Sequence, residues 1–97
     1  MILNCKSAGA YLRLQAGVVV GVVDSAENAP VIGDYVGFGL GSKAFGKITI
    51  GDFARVLPNA VVTHDVPAKA IVGGIPAKVI RYLTEEEVRD RLNQVKN

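Results

Sequence analysis

Few side chains in this sequence could carry out covalent chemistry. His64 is the only histidine and Cys5 is the only cysteine. A histidine can act as a general base when it reaches the proton that it removes, so His64 is one candidate, although a role on the surface or beside a phosphate is favoured. Cys5 has no neighbouring base in the sequence and is expected to be a small apolar filler. One histidine and one cysteine cannot supply a zinc ligand set, so no metal site is expected.

The composition narrows the class of protein further. The chain has 97 residues, of which 49% are hydrophobic, which allows one small ordered domain. A net charge of +2 is too small to indicate a nucleic-acid partner. The most apolar run, residues 16–23, is far shorter than the roughly 20 residues that span a bilayer. A single cysteine excludes an internal disulfide, and a reduced, cytoplasmic setting is expected.

An apolar residue recurs every six positions along most of the chain. The positions in this phase are all apolar: Ile2, Ala8, Leu14, Val20, Ala26, Ile32, Phe38, Ala44, Ile50, Val56 and Val62. Glycine often follows, at Gly9, Gly21, Gly33, Gly39 and Gly51. Glycine lets the backbone turn where other residues are strained. The pattern therefore predicts short strands separated by corners.

A second period of eighteen residues lies on top of the first. It groups the sites into three columns: Ile2, Val20, Phe38 and Val56; Ala8, Ala26, Ala44 and Val62; Leu14, Ile32 and Ile50. Two columns are bulky and one is small, as expected if like residues stack along each wall of a three-sided coil and fill its interior in layers. The sequence therefore predicts a parallel β-helix with three strands per coil and a little under four coils. The period does not give its handedness.

The segments outside the regular repeat complete the expected layout. Residues 24–30 are polar and predict a loop that projects from the coil; one irregular rung is the alternative, because Ala26 keeps the register. Thr84 and Glu87 form a capping-box pattern that starts a helix running to about Val95. An apolar stripe on that helix is expected to pack against the coil or a neighbouring subunit. The expected domains are a β-helix over residues 1–81 and a helix over 82–97.

Four ordered segments carry a family resemblance. They are Ala-Pro-Val-Ile-Gly-Asp at 29–34, Gly-Lys-Ile-Thr-Ile-Gly-Asp at 46–52, Asn-Ala-Val-Val-Thr-His-Asp-Val-Pro at 59–67, and Val-Gly-Gly-Ile-Pro-Ala-Lys-Val-Ile at 72–80. This series resembles hexapeptide-repeat acyltransferases, above all serine acetyltransferases and related sugar O-acetyltransferases. The resemblance is firm over residues 29–81 and loose over 1–28. It implies an all-β fold, a single-stranded left-handed parallel β-helix with a C-terminal α-helix, assembled as a homotrimer.

The resemblance also implies a coenzyme. In this family acetyl-coenzyme A lies in the groove between neighbouring prisms, with its pantetheine arm along corner backbone groups and its phosphates near basic residues. The positions that match this track are Gly39, Gly41, Ser42, Ala60, Thr63, Lys78 and Arg81. Glycine and alanine leave backbone amides accessible, and lysine and arginine supply charge-assisted donors to phosphate. For Lys78 and Arg81, simple surface charge is the alternative.

Several positions depart from the family pattern. Leu40 and Pro58 stand where the family generally has alanine, and Leu57 stands where it has glycine, so the groove is expected to be narrower. The family's catalytic histidine precedes the stretch that matches residues 1–4, and a second histidine position is Ala29 here. The chain is therefore expected to be truncated at its N-terminus and inactive alone.

Two function classes follow from the resemblance. One is an acetyl-CoA-dependent, serine-acetyltransferase-like O-acetyltransferase that acts on a small-molecule hydroxyl acceptor, with its base supplied from upstream or by a partner. The alternative is a non-catalytic trimeric module that binds coenzyme A or only assembles. Neither class implies a nucleic-acid or membrane partner.

Overall fold

Short strands recur at almost every repeat and end in one helix. The computed structural model describes residues 2–22 and 28–96. Within these ranges the elements are β1 (Ile2–Leu3), β2 (Ser7–Ala8), β3 (Arg13–Leu14), β4 (Val19–Gly21), β5 (Val31–Ile32), β6 (Gly37–Phe38), β7 (Lys43–Phe45), β8 (Thr49–Ile50), β9 (Arg55–Val56), β10 (Val61–Val62), β11 (Ala70–Gly73), β12 (Lys78–Tyr82) and α1 (Glu85–Lys96).

The strands stack into three walls. Wall A is β1-β4-β7-β10, wall B is β2-β5-β8, and wall C is β3-β6-β9-β11-β12. Pairing along each wall is parallel, except that β11 and β12 form an antiparallel pair at the end of wall C. Because consecutive strands lie on different walls, the chain winds around a common interior. The predicted three-sided parallel coil is confirmed.

The predicted columns are right after residue 28, but their alignment with the earlier sides is wrong. Before that point, β1 still lies beside β4 on wall A, as the columns had it. Beyond that point, Val31 pairs with Thr49, eighteen residues later. Earlier, Ser7 pairs with Val31, twenty-four residues later. The connection between β4 and β5 therefore holds six residues more than the corresponding connection between β7 and β8, and each earlier side shifts to the next wall. An insertion of one full repeat keeps the six-residue phase, which is why periodicity alone could not detect it. The predicted loop itself falls largely outside the described residues.

The corrected columns form the core of the protein. Wall A contributes Val20, Ala44 and Val62; wall B contributes Ile32, Ile50 and Val66; wall C contributes Phe38, Val56 and Val72. Each of these side chains is at most 4% exposed. Phe38 is the largest of the side chains that are almost fully buried. The interior is a continuous apolar stack, as dense packing requires.

The corner between walls B and C is held by side-chain bonds to the backbone. Asp34 Oδ1 accepts the N–H of Ala10 at 2.8 Å, and Asp52 Oδ1 accepts the N–H of Asp34 at 2.7 Å. Next to these carboxylates, Tyr11, Tyr35 and Phe53 stack face to face with ring centroids 5.0 and 4.8 Å apart. The corner aspartates therefore link successive coils, and this corner carries structural ties.

Helix α1 folds back over wall C. The capping box is present: Thr84 N–H donates to Glu87 Oε1 at 3.0 Å, and Glu87 N–H donates to Thr84 Oγ1 at 3.2 Å. Farther along, Arg91 donates to the carbonyl of Tyr11 at 2.6 Å and is only 7% exposed. The helix therefore packs against its own coil, as one of the two predicted arrangements. No helix in the described part of the chain is long and apolar enough to cross a membrane.

Glu87 makes the folded state sensitive to acid. The guanidinium of Arg81, followed by the capping N–H of Thr84, lowers the pKa of Glu87 from 4.5 to about 2. A folded-state pKa below the unfolded value means that the stabilisation is complete above pH 4.5 and is lost as the pH falls toward 2. We expect Glu87→Gln to reduce the loss of stability between neutral pH and about pH 3, measured by urea unfolding. Glu86→Gln, in the same turn, is the control, and an unchanged pH dependence in Glu87→Gln would contradict the assignment.

Candidate functional site

The corner between walls C and A is built from stacked turns, and two of them, residues 39–42 and 57–60, hold predicted coenzyme positions. We call these residues the C–A corner. Asn59 N–H donates to the carbonyl of Leu40 at 2.8 Å, which joins the two turns. Gly41 has φ of 69° and Asn59 has φ of 61°, values at which glycine and asparagine are the least strained residues. Four predicted coenzyme positions meet at this corner: Gly39, Gly41, Ser42 and Ala60.

These four residues offer backbone and little side chain. Ser42 is completely buried, and its hydroxyl donates to the carbonyl of Gly39 at 2.8 Å. Ala60 is also completely buried, and its carbonyl accepts the N–H of Lys43 at 2.8 Å. A ligand at the C–A corner would therefore meet glycine backbone and the side chains that project outward, and it would not touch the Ser42 hydroxyl.

The three unusual residues of the corner lie at its surface. Leu40 is 52% exposed and Leu57 is 38% exposed, so both leucines project from the coil and do not fill its interior. The backbone N–H of Leu40 donates to Gln15 Oε1 at 2.8 Å. Gln15 was missed in the sequence, because the twenty-four-residue spacing that brings it to this corner is hidden by the insertion. A ligand that uses the Leu40 amide must displace the Gln15 side chain.

Two further candidate residues, His64 and Lys78, line the same pocket at the C-terminal end of the coil. Thr63 Oγ1 lies 3.1 Å from His64 Nδ1. His64 and Lys78 line one open pocket of about 300 Å³, together with Asp65. Asp65 Oδ1 accepts the N–H of Thr49 at 2.8 Å, so this carboxylate ties two parts of the coil together. His64 thus has a hydroxyl as its hydrogen-bond partner, and within residues 2–22 and 28–96 no carboxylate hydrogen-bonds to the ring to orient it as a base.

Arg81 lies apart from Lys78 and faces the helix. Its guanidinium donates to both carboxylate oxygens of Glu87, at 2.6 and 2.9 Å. This hydrogen bond and the negative charge of Glu87 raise the pKa of Arg81. A phosphate that recruits Arg81 must compete with a carboxylate already in a two-point contact. Among the described residues, no group of three or more His, Cys, Asp or Glu side chains could hold a metal ion.

These features define the class of protein as a hexapeptide-repeat β-helix. Comparison with known proteins narrows this class further. No family model matches the chain. The chain is 47% identical over 51 residues to serine acetyltransferase of Mycobacterium tuberculosis (strain ATCC 25618 / H37Rv), which covers 53% of this chain and 22% of that protein. It is 38% identical over 81 residues to 2,3,4,5-tetrahydropyridine-2,6-dicarboxylate N-acetyltransferase of Staphylococcus aureus (strain MRSA252), which covers 81% of this chain and 34% of that protein.

A solved structure of a serine acetyltransferase is also similar to this chain. Serine acetyltransferase from Brucella abortus strain S19, solved in complex with coenzyme A, matches with a TM-score of 0.71 and 29% identity, over 75% of this chain and 30% of that one. The homologues are thus acetyltransferases of the hexapeptide-repeat type, and the protein is a left-handed parallel β-helix similar to the C-terminal part of serine acetyltransferase. The predicted fold is confirmed, including its handedness. The chain spans 22% and 34% of the length of the two curated relatives.

Proposed function

We propose that this chain is the coenzyme-A-binding part of an acetyl-CoA-dependent O-acetyltransferase that resembles serine acetyltransferase. The observation that carries the proposal is its similarity, over 75% of its residues, to the Brucella enzyme solved with coenzyme A. The glycine-rich C–A corner supports it, because such a surface can approach a ligand closely through its backbone. The non-catalytic binding or assembly module is the competing outcome in the tests below.

The coenzyme would lie along the C–A corner toward the C-terminal end of the coil. Its pantetheine arm would run past Gly39, Gly41, Ser42 and Ala60, mainly along their backbone, and then past Thr63. Its phosphates would contact Lys78, which is exposed and carries three ammonium donors. Arg81 would contact the phosphates only if its hydrogen bonds to Glu87 were replaced by hydrogen bonds to phosphate oxygens. The exposed side chains of Leu40 and Leu57 would flank the arm.

The reaction would transfer the acetyl group from sulfur to oxygen. The acceptor hydroxyl oxygen attacks the thioester carbonyl, a general base takes its proton, and the carbon–sulfur bond breaks to release the coenzyme A thiol. His64 is the only histidine of this sequence, and its contact with Thr63 does not prepare it for this role. We therefore assign the base to a residue outside this chain, from the rest of the protein or from a partner subunit.

We also propose a homotrimeric, cytoplasmic protein in which residues 1–81 form the β-helix domain and 82–97 the C-terminal helix. Apolar side chains exposed on the terminal hairpin support association: Ile75 is 74% exposed, Ile80 is 61% exposed and Tyr82 is 54% exposed. Clustered apolar surface of this kind marks interaction sites on soluble proteins.

An N-acetyltransferase is the second candidate function. The Staphylococcus N-acetyltransferase aligns with 81% of this chain, against 53% for the Mycobacterium serine acetyltransferase. Both chemistries use the same thioester donor and differ in whether the acceptor presents an amine or a hydroxyl. Assays of the protein with serine and with amine acceptors, at saturating acetyl-coenzyme A, would separate the two.

Calorimetric titration with coenzyme A tests the shared part of both candidates. We expect binding by the purified chain, weakened about tenfold or more in Lys78→Ala because a charge-assisted bond to phosphate is lost. Arg81→Ala is expected to have the smaller effect, since Arg81 is paired with Glu87. Lys47→Ala, an exposed lysine near Lys6 and Asp65, is the control.

The oligomeric mass, measured in parallel, distinguishes the acetyltransferase from the assembly module. A trimer that binds coenzyme A with the predicted order of variants supports the acetyltransferase. A trimer that gives no heat favours the assembly module. Equal weakening by Lys78→Ala and Lys47→Ala would contradict the proposed phosphate position.

A further inference from the structure

A second cavity lies between wall C and helix α1. It encloses about 210 Å³ and is open to solvent on one side. Three arginines line it, Arg13 from β3, Arg55 from β9 and Arg91 from α1, together with Gln15. This volume lies below the roughly 300–1,000 Å³ that is usual for drug-sized ligands. The cavity therefore suits a small molecule and not a complete coenzyme.

The charge lining this cavity is all of one sign. No Asp or Glu is among the described residues that line it. Glu87 Oε2 lies 3.9 Å from Arg55 Nη1, but this carboxylate already makes a two-point contact with Arg81. One carboxylate shared between two guanidiniums leaves a net positive cavity. In keeping with this crowding, burial first, and then the charges of Arg13 and Arg55, lower the pKa of Arg91.

Hydrogen bonds hold two of the three guanidiniums, those of Arg13 and Arg91, and both still have donors to offer. Arg91 gives one N–H to the carbonyl of Tyr11 at 2.6 Å, and Arg13 gives one to Gln94 Oε1 at 2.5 Å. A guanidinium has five N–H donors in a planar fork that matches the geometry of carboxylate and phosphate. These two recorded bonds fix the orientation of each group and use only part of its hydrogen-bonding capacity.

The remaining wall of the cavity is apolar and is formed by stacked aromatic rings, with Tyr35 between Tyr11 and Phe53 so that its edge and not its face is free for a ligand. Tyr35 and Phe53 line it and stack with an interplanar angle of 5° and centroids 4.8 Å apart. The guanidinium of Arg91 lies 6.0 Å from the ring centroid of Tyr35. Leu57 and Pro58 also line the cavity. A ligand here would meet cations on one side and apolar surface on the other.

We propose that this arginine pocket binds a small organic anion, in which one carboxylate or phosphate group is attached to a flat apolar body. The oxyanion would accept hydrogen bonds from Arg13, Arg55 and Arg91, and the apolar body would lie against the edge of Tyr35 and against Phe53. The site is distinct from Lys78 and His64. It borders the C–A corner at Gly39, Leu57 and Pro58, which also line the pocket.

Titration with phenyl phosphate, benzoate and inorganic phosphate, followed by calorimetry, tests this site. We expect phenyl phosphate and benzoate to bind more tightly than inorganic phosphate, and their affinity to fall with rising salt because the attraction is ionic. Arg13→Gln/Arg55→Gln is expected to weaken binding of phenyl phosphate at least tenfold. The double variant uses the two more exposed arginines, since a change of buried Arg91 could unfold the helix contact.

Arg89→Gln, on an exposed position of α1, is the matched control and is expected to leave binding unchanged. Circular dichroism of each variant shows whether it is folded. No binding of phenyl phosphate by the parent chain, or equal binding by parent and double variant, would overturn the proposal. Equal affinity for inorganic phosphate and phenyl phosphate would overturn the part played by the aromatic wall. Coenzyme A affinity, measured in the same double variant, is expected to fall far less than that of phenyl phosphate, because neither arginine is among the proposed coenzyme contacts. Equal losses for the two ligands would show that they share one site and would overturn the proposal.

Discussion

Replacing Phe38 with alanine is expected to destabilise the protein by about 3–5 kcal/mol, the usual cost of removing a buried phenyl ring. Phe38 is 1% exposed and lies between Leu14 and Val56 in the core column of wall C. The rigid stacking of coils above and below leaves little room for the cavity to collapse. Since small domains have roughly 5–15 kcal/mol of stability in total, urea unfolding should show a large fall in the midpoint.

Leu40→Ala is the matched control for this prediction. Leu40 is two residues away, is also large and apolar, and is 52% exposed at the C–A corner. Its removal is expected to change the free energy of unfolding by no more than about 0.5 kcal/mol, as for most surface positions. Similar losses in the two variants would show that the inner face of wall C is not the core described above.

Gly39→Ala is expected to be the second most damaging change, costing about 1–3 kcal/mol or more by overpacking. A Cβ at Gly39 would lie 2.6 Å from the nitrogen of Pro58 and 2.9 Å from the carbonyl carbon of Leu57. Both are backbone atoms of the next coil, so the clash can be relieved only by separating the coils. The thermal midpoint should fall by roughly 4–8 °C per kcal/mol in a domain of this size.

Gly37→Ala provides the comparison two residues earlier, in β6 and outside the turn that holds Gly39. A Cβ at Gly37 would find nothing within 4 Å. Replacing a glycine by alanine without strain reduces the entropy of the unfolded chain, so this variant is expected to be neutral or slightly more stable. If Gly37→Ala were as unstable as Gly39→Ala, general glycine effects would explain the loss better than contact between the coils.

The sequence predicted the fold because the physical constraint repeats. Six residues per side and three sides per coil place one apolar side chain inside at each strand, and this pattern is visible in the sequence. The wall to which each early residue belongs was not predictable in the same way. An insertion of six residues preserves the phase, so Leu14 lies beside Phe38 although the period had placed it beside Ile32.

The sequence predicted which residues lie at the candidate site, but it did not predict the hydrogen bonds that their atoms make. Family motifs pointed to Gly39, Gly41, Ser42 and Ala60, and the structure brings these residues to one corner. The structure also shows that the Ser42 hydroxyl donates to Gly39 within its own turn, and that the Leu40 amide donates to Gln15 of the preceding coil, a contact that the sequence pattern did not indicate. The roles of these residues, and of Thr63, Lys78 and Arg81, in binding coenzyme A stay predictions.

The arginine pocket left no pattern in the sequence because its three arginines come from distant segments. Arg13, Arg55 and Arg91 are brought together only when α1 folds back over wall C. The apolar pattern of the C-terminal segment had predicted a packing face for α1, and Leu83, two residues before α1, is indeed buried. The buried Arg91 on the same helix was not expected, since its partner is a backbone carbonyl on the first coils, that of Tyr11.

The most direct test of the central claim, that coenzyme A binds along the C–A corner, is to record amide NMR spectra of the isotope-labelled chain during titration with coenzyme A. The account predicts that the largest shifts occur at Gly39, Gly41 and Thr63, with small shifts at Asp34 and Asp52 on the corner between walls B and C. Shifts concentrated at that other corner, or no shifts at saturating coenzyme A, would contradict it.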